Sequence, residues 1–149
     1  MPTTDRTALA ALLLVVAAAF GRVLTFDLVH EDPRLLLPDP ALAAQTIGTW
    51  RPAFDLALRA VGAVVGSWAP GWHAAALLLH LGATAAIFAF VRRYSGSLWA
   101  ALLGTLLFAI HPTRAESVAS VLASSDALAA IFGFGAMAAL LAARPDLGA

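Results

Sequence analysis

Cysteine and lysine are both missing from this 149-residue chain. Without Cys there is no disulfide, no thiolate nucleophile and no zinc–thiolate site. All nine basic residues are Arg, matched by nine acidic ones. The zero net charge therefore offers nothing to attract nucleic acid and no polybasic tail for anionic lipid. Charge as a whole is scarce, 12% of residues against roughly 25% in soluble domains. Hydrophobic residues reach 61%, above the roughly 45–50% of soluble chains, so the chain is built for a bilayer. It contains no G-x-S-x-G nucleophile elbow, and its serines lie in apolar segments, which removes Ser/His/Asp hydrolysis. Internal repeats and low-complexity linkers are also lacking. Arg-only basicity beside abundant Ala, Leu and Gly is the compositional mark of a GC-rich genome, and a bacterial plasma membrane is the expected location.

What the chain has is long apolar runs. They predict an all-α, multi-pass transmembrane helix bundle, one polytopic unit over 1–149, with about four spans at 7–26, 72–91, 97–110 and 117–143. The first run, TALAALLLVVAAAFGRVLTF, reads as a retained span and not a cleaved signal peptide, because its apolar character continues past Gly21. Its single charge, Arg22, is placed to snorkel to the interface or pair with Asp27. In the last run, Gly133, Gly135 and Ala138 offer small side chains for close helix packing. Arg6, Arg92-Arg93 and Arg144 fall together at one side of this arrangement, which the positive-inside bias makes cytoplasmic.

The outer loop, 27–71, has a different texture. Five of the eight prolines lie in it, with Trp50 and Trp68. Within it, PAFDLALRAVGAVVGS predicts a helix opened by Pro52, with an apolar stripe of Phe54, Leu58, Val61 and Val65 and an Asp55/Arg59 pair four residues apart. Too short to span, it is expected to lie in the bilayer interface with Trp50 and Trp68 at headgroup level.

Polar residues are few enough to weigh singly. Glu31-Asp32, followed by Pro33, is either a solvated turn or a carboxylate pair able to take a proton from a hydroxyl at about 2.6–3.2 Å. In HPTRAES, Thr113 and Glu116 have capping-box spacing for the helix that follows. His111 before Pro112 reads as an interfacial hydrogen bonder or a ligand. His73 and His80, seven apart, share one helix face and should point into the bundle. Asp126, beside Ser124 and Ser125, is the acid placed furthest into a span and so a functional candidate. His30, Glu31, Asp32, His111 and Glu116 could converge on a divalent metal ion through oxygen and imidazole ligands, although no spacing among them specifies one.

The order of these motifs resembles the amino-terminal part of the membrane glycosyltransferases of the C-type fold. It is most similar to the O-mannosyltransferase-like group with transmembrane and tetratricopeptide-repeat regions. The resemblance rests on Glu31-Asp32 with Asp39-Pro40, Arg51-Pro52, His73 with His80, and LLFAIHPTRAESVASVLASSDAL over 106–128. It implies sugar transfer from a polyprenyl-phosphate-linked donor to a hydroxyl acceptor on the outer side of the membrane. Glu31 or Asp32 would be the catalytic base, with Arg51, His111, Arg114, Glu116 and Asp126 as substrate-binding residues. The implied partners are the bilayer, the lipid-linked donor and further membrane helices. The chain departs from the family at three positions: Glu31 stands where the family has Asp, Ala76 replaces a common Asn, and Ser124 replaces the Arg of a G-R-x-D motif that keeps Asp126. Family members continue through more spans, so the transferase is expected to be incomplete in these residues. The alternative is a non-catalytic multi-pass membrane protein or a truncated relic of such an enzyme.

Overall fold

The computed structural model describes residues 2–29, 32 and 51–144. Among them all regular structure is helical. Helix α1, Thr3–Phe20, runs on through a 3-10 turn, Gly21–Thr25. Helix α2, Pro52–Val65, starts with its proline in the first turn, where a missing N–H costs nothing. It stops at Gly66, whose φ of 55° favours glycine. Helix α3, Ala69–Ser95, ends in Arg92 and Arg93 and closes on Gly96 in the left-handed region. Helix α4, Leu98–Ala109, opens with Ser97 Oγ accepting from the Ala100 amide at 3.3 Å. Helix α5, Arg114–Ala119, is separated from α6, Ser125–Ala143, by Ser120 and Val121 and a 3-10 turn, Leu122–Ser124.

Helix α3 is the axis, and each of the other five helices among the described residues packs against it. Its register with α1 is antiparallel. Asp5 meets Arg92, Phe20 stands edge-on to His80 at 5.3 Å between ring centroids, and the Asp27 carbonyl lies 3.2 Å from His73 Nε2. Helix α4 runs back along α3 until the Ala109 carbonyl accepts from His80 Nε2 at 2.9 Å. Helix α6 lies alongside α3, with Ile131 on Gly82 and Phe134 against Phe90. His73 and His80 do point inward, both essentially without exposure. A core of Leu12, Val16, Phe88, Ala101 and Ala109 joins α1, α3 and α4. Leu14, Val15, Trp99, Leu103, Leu107, Phe132 and Leu140 face outward, the surface a bilayer would cover.

Among the described residues three stretches, Thr3–Thr25, Ala69–Ser95 and Leu122–Ala143, are long and apolar enough to cross a membrane. The run at 97–110, short for a span, is helix α4 with Ser97 and Ile110 as its two caps. With 12 residues in α4 and about 1.5 Å rise each, it reaches roughly 18 Å of a core about 30 Å thick. It stops because His111 precedes Pro112, which disfavours helical backbone at His111. The expected continuous span at 117–143 is instead broken at Ser120, whose ψ of 120° is extended.

Two local readings also change. Thr113 forms no cap; its amide and hydroxyl lie 3.3 and 2.8 Å from His111 Nδ1. Gly133 and Gly135 meet nothing within 4 Å, whereas Gly82 takes the close approach, a Cβ there standing 2.9 Å from Ile131 Cδ1. Gly82→Ala should therefore be nearly neutral, because that flexible terminus can turn aside. Gly82→Leu should prise α3 from α6 and cost about 1–3 kcal/mol. Thermal unfolding of both variants in detergent checks this, and equal midpoints for Leu and wild type would contradict it.

Candidate functional site

The antiparallel register of α1, α3 and α4, with α6 alongside α3, sorts the charges between the two ends of the bundle. Arg6, Arg92, Arg93 and Arg144 belong to one end; Asp27, Asp32, Arg51, His111 and Ser120 belong to the other. At the first end Arg92 Nε donates to Asp5 Oδ2 at 3.1 Å and Nη1 to the Gly96 carbonyl. This clamp ties the start of α1 to the end of α3.

The second end is organised by Asp32, which has no exposed surface. Its Oδ1 accepts from Ser120 Oγ and from the Leu122 amide, both at 3.1 Å, and its Oδ2 accepts from the Val121 amide at 2.8 Å. In an unbroken helix those two amides would bond the carbonyls of Ser117 and Val118, four residues back. The carboxylate takes them instead, and this explains the break between α5 and α6. Such charge-assisted bonds are roughly twice as strong as neutral ones.

Arg51, at the far end of the same loop, is held against the same break. Its Nη1 donates to Ser125 Oγ at 2.7 Å, and its Cζ lies 5.6 Å from the centre of the Phe54 ring. Below this, His73 Nε2 donates to the Asp27 carbonyl, while its buried Nδ1 has no partner among the described residues. Trp72 Nε1 donates to the Gly66 carbonyl and closes the turn between α2 and α3.

The sequence-derived site residues are placed unevenly. Asp32 and Arg51 converge on the 120–125 segment, where Asp126 sits exposed in the first turn of α6. Arg114 stacks its guanidinium over Phe108 at 5.3 Å. His111 bonds Thr113, and both His111 and Glu116 are exposed. Among the described residues the polar partners of Asp32 are Ser120 and the Val121 and Leu122 amides. His30, Glu31, Trp50 and Asp39-Pro40 lie outside the described residues. Asp55 and Arg59 are exposed on α2 and are not within ion-pair distance of each other. Among the described residues no three His, Asp or Glu side chains gather in a way that could hold a metal ion.

Ser120 and Ser125 were not anticipated as partners of the loop. The available signal was the density of hydroxyls at 117, 120, 124 and 125 in an otherwise apolar stretch, which marks a segment where backbone and side-chain donors are used outside a helix.

No family model and no solved structure matches the chain. Two curated proteins of Drosophila melanogaster do. Protein O-mannosyl-transferase Tmtc2 is 39% identical over 85 residues, 56% of this chain and 9% of its own length. Protein O-mannosyl-transferase Tmtc1 is 32% identical over 88 residues, 58% of this chain and 10% of its own length. The chain thus spans about a tenth of the length of these two relatives, and over more than half of its own residues it is similar to O-mannosyl-transferases.

Proposed function

We propose that this chain forms part of a membrane glycosyltransferase that moves a hexose, mannose by similarity, from a polyprenyl-phosphate carrier to a Ser or Thr hydroxyl. The observation that carries this reading is the similarity to two protein O-mannosyl-transferases, in a chain with three stretches among its described residues long and apolar enough to cross a membrane.

In this reaction the acceptor oxygen bonds to the anomeric carbon as the bond from that carbon to the phosphate oxygen breaks, and the carrier phosphate leaves with the electron pair. The acceptor proton goes to a carboxylate of the pair Glu31-Asp32. Positive charge near the departing phosphate stabilises the transition state, and Arg51 and Arg114, both cations of the loop end, are the groups assigned to it. Asp126, Glu116 and His111 would bind the acceptor or the sugar. Further membrane helices would complete the enclosure of the lipid, because α4 and α6 leave broad apolar faces uncovered.

The reading sets an orientation, with the loop end outside and the arginine end cytoplasmic. Because the chain has no native Cys, single cysteines report it without background. An impermeant thiol reagent applied outside should label position 113 and spare position 95; labelling of 95 alone would reverse the topology. The function itself is tested in membranes holding this chain with the helices that complete it. Label from polyprenyl-phosphate-mannose should pass to a Ser/Thr peptide. Absence of transfer from any polyprenyl-phosphate sugar would contradict the reading.

A further inference from the structure

We propose that Asp32 is a positioning residue and not the proton acceptor: its carboxylate latches the start of the acidic loop onto the break between α5 and α6. The inference rests on the transferase reading for its catalytic half, and on hydrogen-bond geometry alone for the latch.

A general base has to touch the hydroxyl it deprotonates, within about 2.6–3.2 Å or through one water. Asp32 has no exposed surface, and both of its oxygens are already engaged by three donors. Two of those donors are the backbone amides of Val121 and Leu122, at the entry to the 3-10 turn, and main-chain donors cannot swing away to admit an acceptor as a side chain can. A proton on Oδ2 would set an O–H against the Val121 amide, and a proton on Oδ1 would require the Ser120 hydroxyl to reverse. Of the pair, this leaves Glu31 as the proton acceptor of the proposed reaction.

The latch has a counterpart. Arg51, beyond residue 50, donates to Ser125 on the same break, so both flanks of the stretch 33–50 are fixed on one six-residue segment, 120–125. A carboxylate that positions its neighbour acts on rate through geometry, and misplacement by about 1 Å can cost ~10²-fold.

Two readouts test this, one independent of activity. In the intact chain in lipid nanodiscs, hydrogen exchange of the Val121 and Leu122 amides should rise at least about tenfold in Asp32→Asn, as expected for loss of a buried charge-assisted bond. It should rise about threefold in Ser120→Ala and stay at the wild-type level in Ser120→Thr, which keeps the hydroxyl. In the active assembly, Asp32→Asn and Ser120→Ala should lower kcat about 10- to 100-fold and about threefold respectively, with the donor KM kept. The double variant should be no slower than Asp32→Asn alone, and Ser120→Thr should restore the rate.

Unchanged amide exchange in Asp32→Asn would overturn the latch. Turnover lost by more than about 10³-fold in Asp32→Asn, with wild-type exchange at 121–122 and full activity in Ser120→Ala, would make Asp32 the base. If Asp32→Asn does not fold, Ser120→Ala against Ser120→Thr decides the same point, equal exchange in the two overturning the latch. If no assembly transfers sugar, the transferase reading fails, while the exchange data still decide whether the latch exists.

Discussion

Neutralising the acidic pair, Glu31→Gln together with Asp32→Asn, is expected to reduce sugar transfer by the completed assembly at least ~10²-fold, the usual scale of general-base loss. The reason is chemical. A Ser or Thr hydroxyl is a poor nucleophile until its proton has somewhere to go, and the motif resemblance puts no other pair of acids in the outer loop. The two substitutions should not contribute alike. Glu31→Gln removes the assigned acceptor and should carry most of the loss at constant stability. Asp32→Asn trades one carboxylate oxygen for an NH₂ group that must face a backbone N–H, so part of its effect should appear as loosening at 121–122. The check is single-turnover transfer from polyprenyl-phosphate-mannose, with thermal unfolding measured on the same samples. Full rate in the double variant would remove the catalytic assignment.

The largest effect on stability is expected at the opposite end of the bundle. The Asp5 side chain is 5% exposed and Arg92 27%, so Arg92→Ala leaves a carboxylate buried without its cation. Breaking a buried pair from one side costs about 3–5 kcal/mol. The partial exposure of Arg92 and its second bond to Gly96 put this case nearer about 2–3 kcal/mol. Asp5→Asn should cost less, since an amide oxygen still accepts from the guanidinium and no charge is stranded. Asp5→Ala with Arg92→Ala should be more stable than Arg92→Ala alone, because the damage comes from the unpaired charge and not from the missing contact. Chemical unfolding of wild type, Asp5→Ala, Arg92→Ala and the double Ala variant in one detergent gives the cycle. Purely additive losses would show that the pair is not coupled.

How much of this was legible in the sequence depends on the range of the forces involved. Helix class, the apolar runs and the inward face carrying His73 and His80 are set by local composition and a 3.6-residue period, and they read directly. So does the helix opened by Pro52, because its start signal is local. The break after Ala119 is different. It is made by a carboxylate 88 residues earlier in the chain, and the Thr113/Glu116 spacing pointed to an ordinary capped start that the His111 ring pre-empts. The extent of α4 also reads locally: the apolar run at 97–110 is the helix with its two caps, and Pro112 marks its stop. Gly133 and Gly135 match a small-residue pattern, but contact depends on which face α6 turns to α3, and it turns Ile131. At the site, residue types were legible and partners were not. The resemblance gathered Asp32, Arg51 and 106–128, and geometry then selected Ser120 and Ser125 within that stretch.

Whether Asp32 and Arg51 meet at the α5–α6 break is the claim on which the shared site and the role of Arg51 depend. It is tested most directly by bridging positions 51 and 125 in native membranes. Arg51→Cys with Ser125→Cys, in a chain with no other cysteine, should take up one short bifunctional thiol reagent of about 8 Å reach, about the gap left by the arginine side chain and its hydrogen bond. Mass spectrometry should find a single reagent joining the two thiols within one chain. Two separate reagents on the same chain, one at each thiol and never a bridge, would contradict the juxtaposition and with it the shared site.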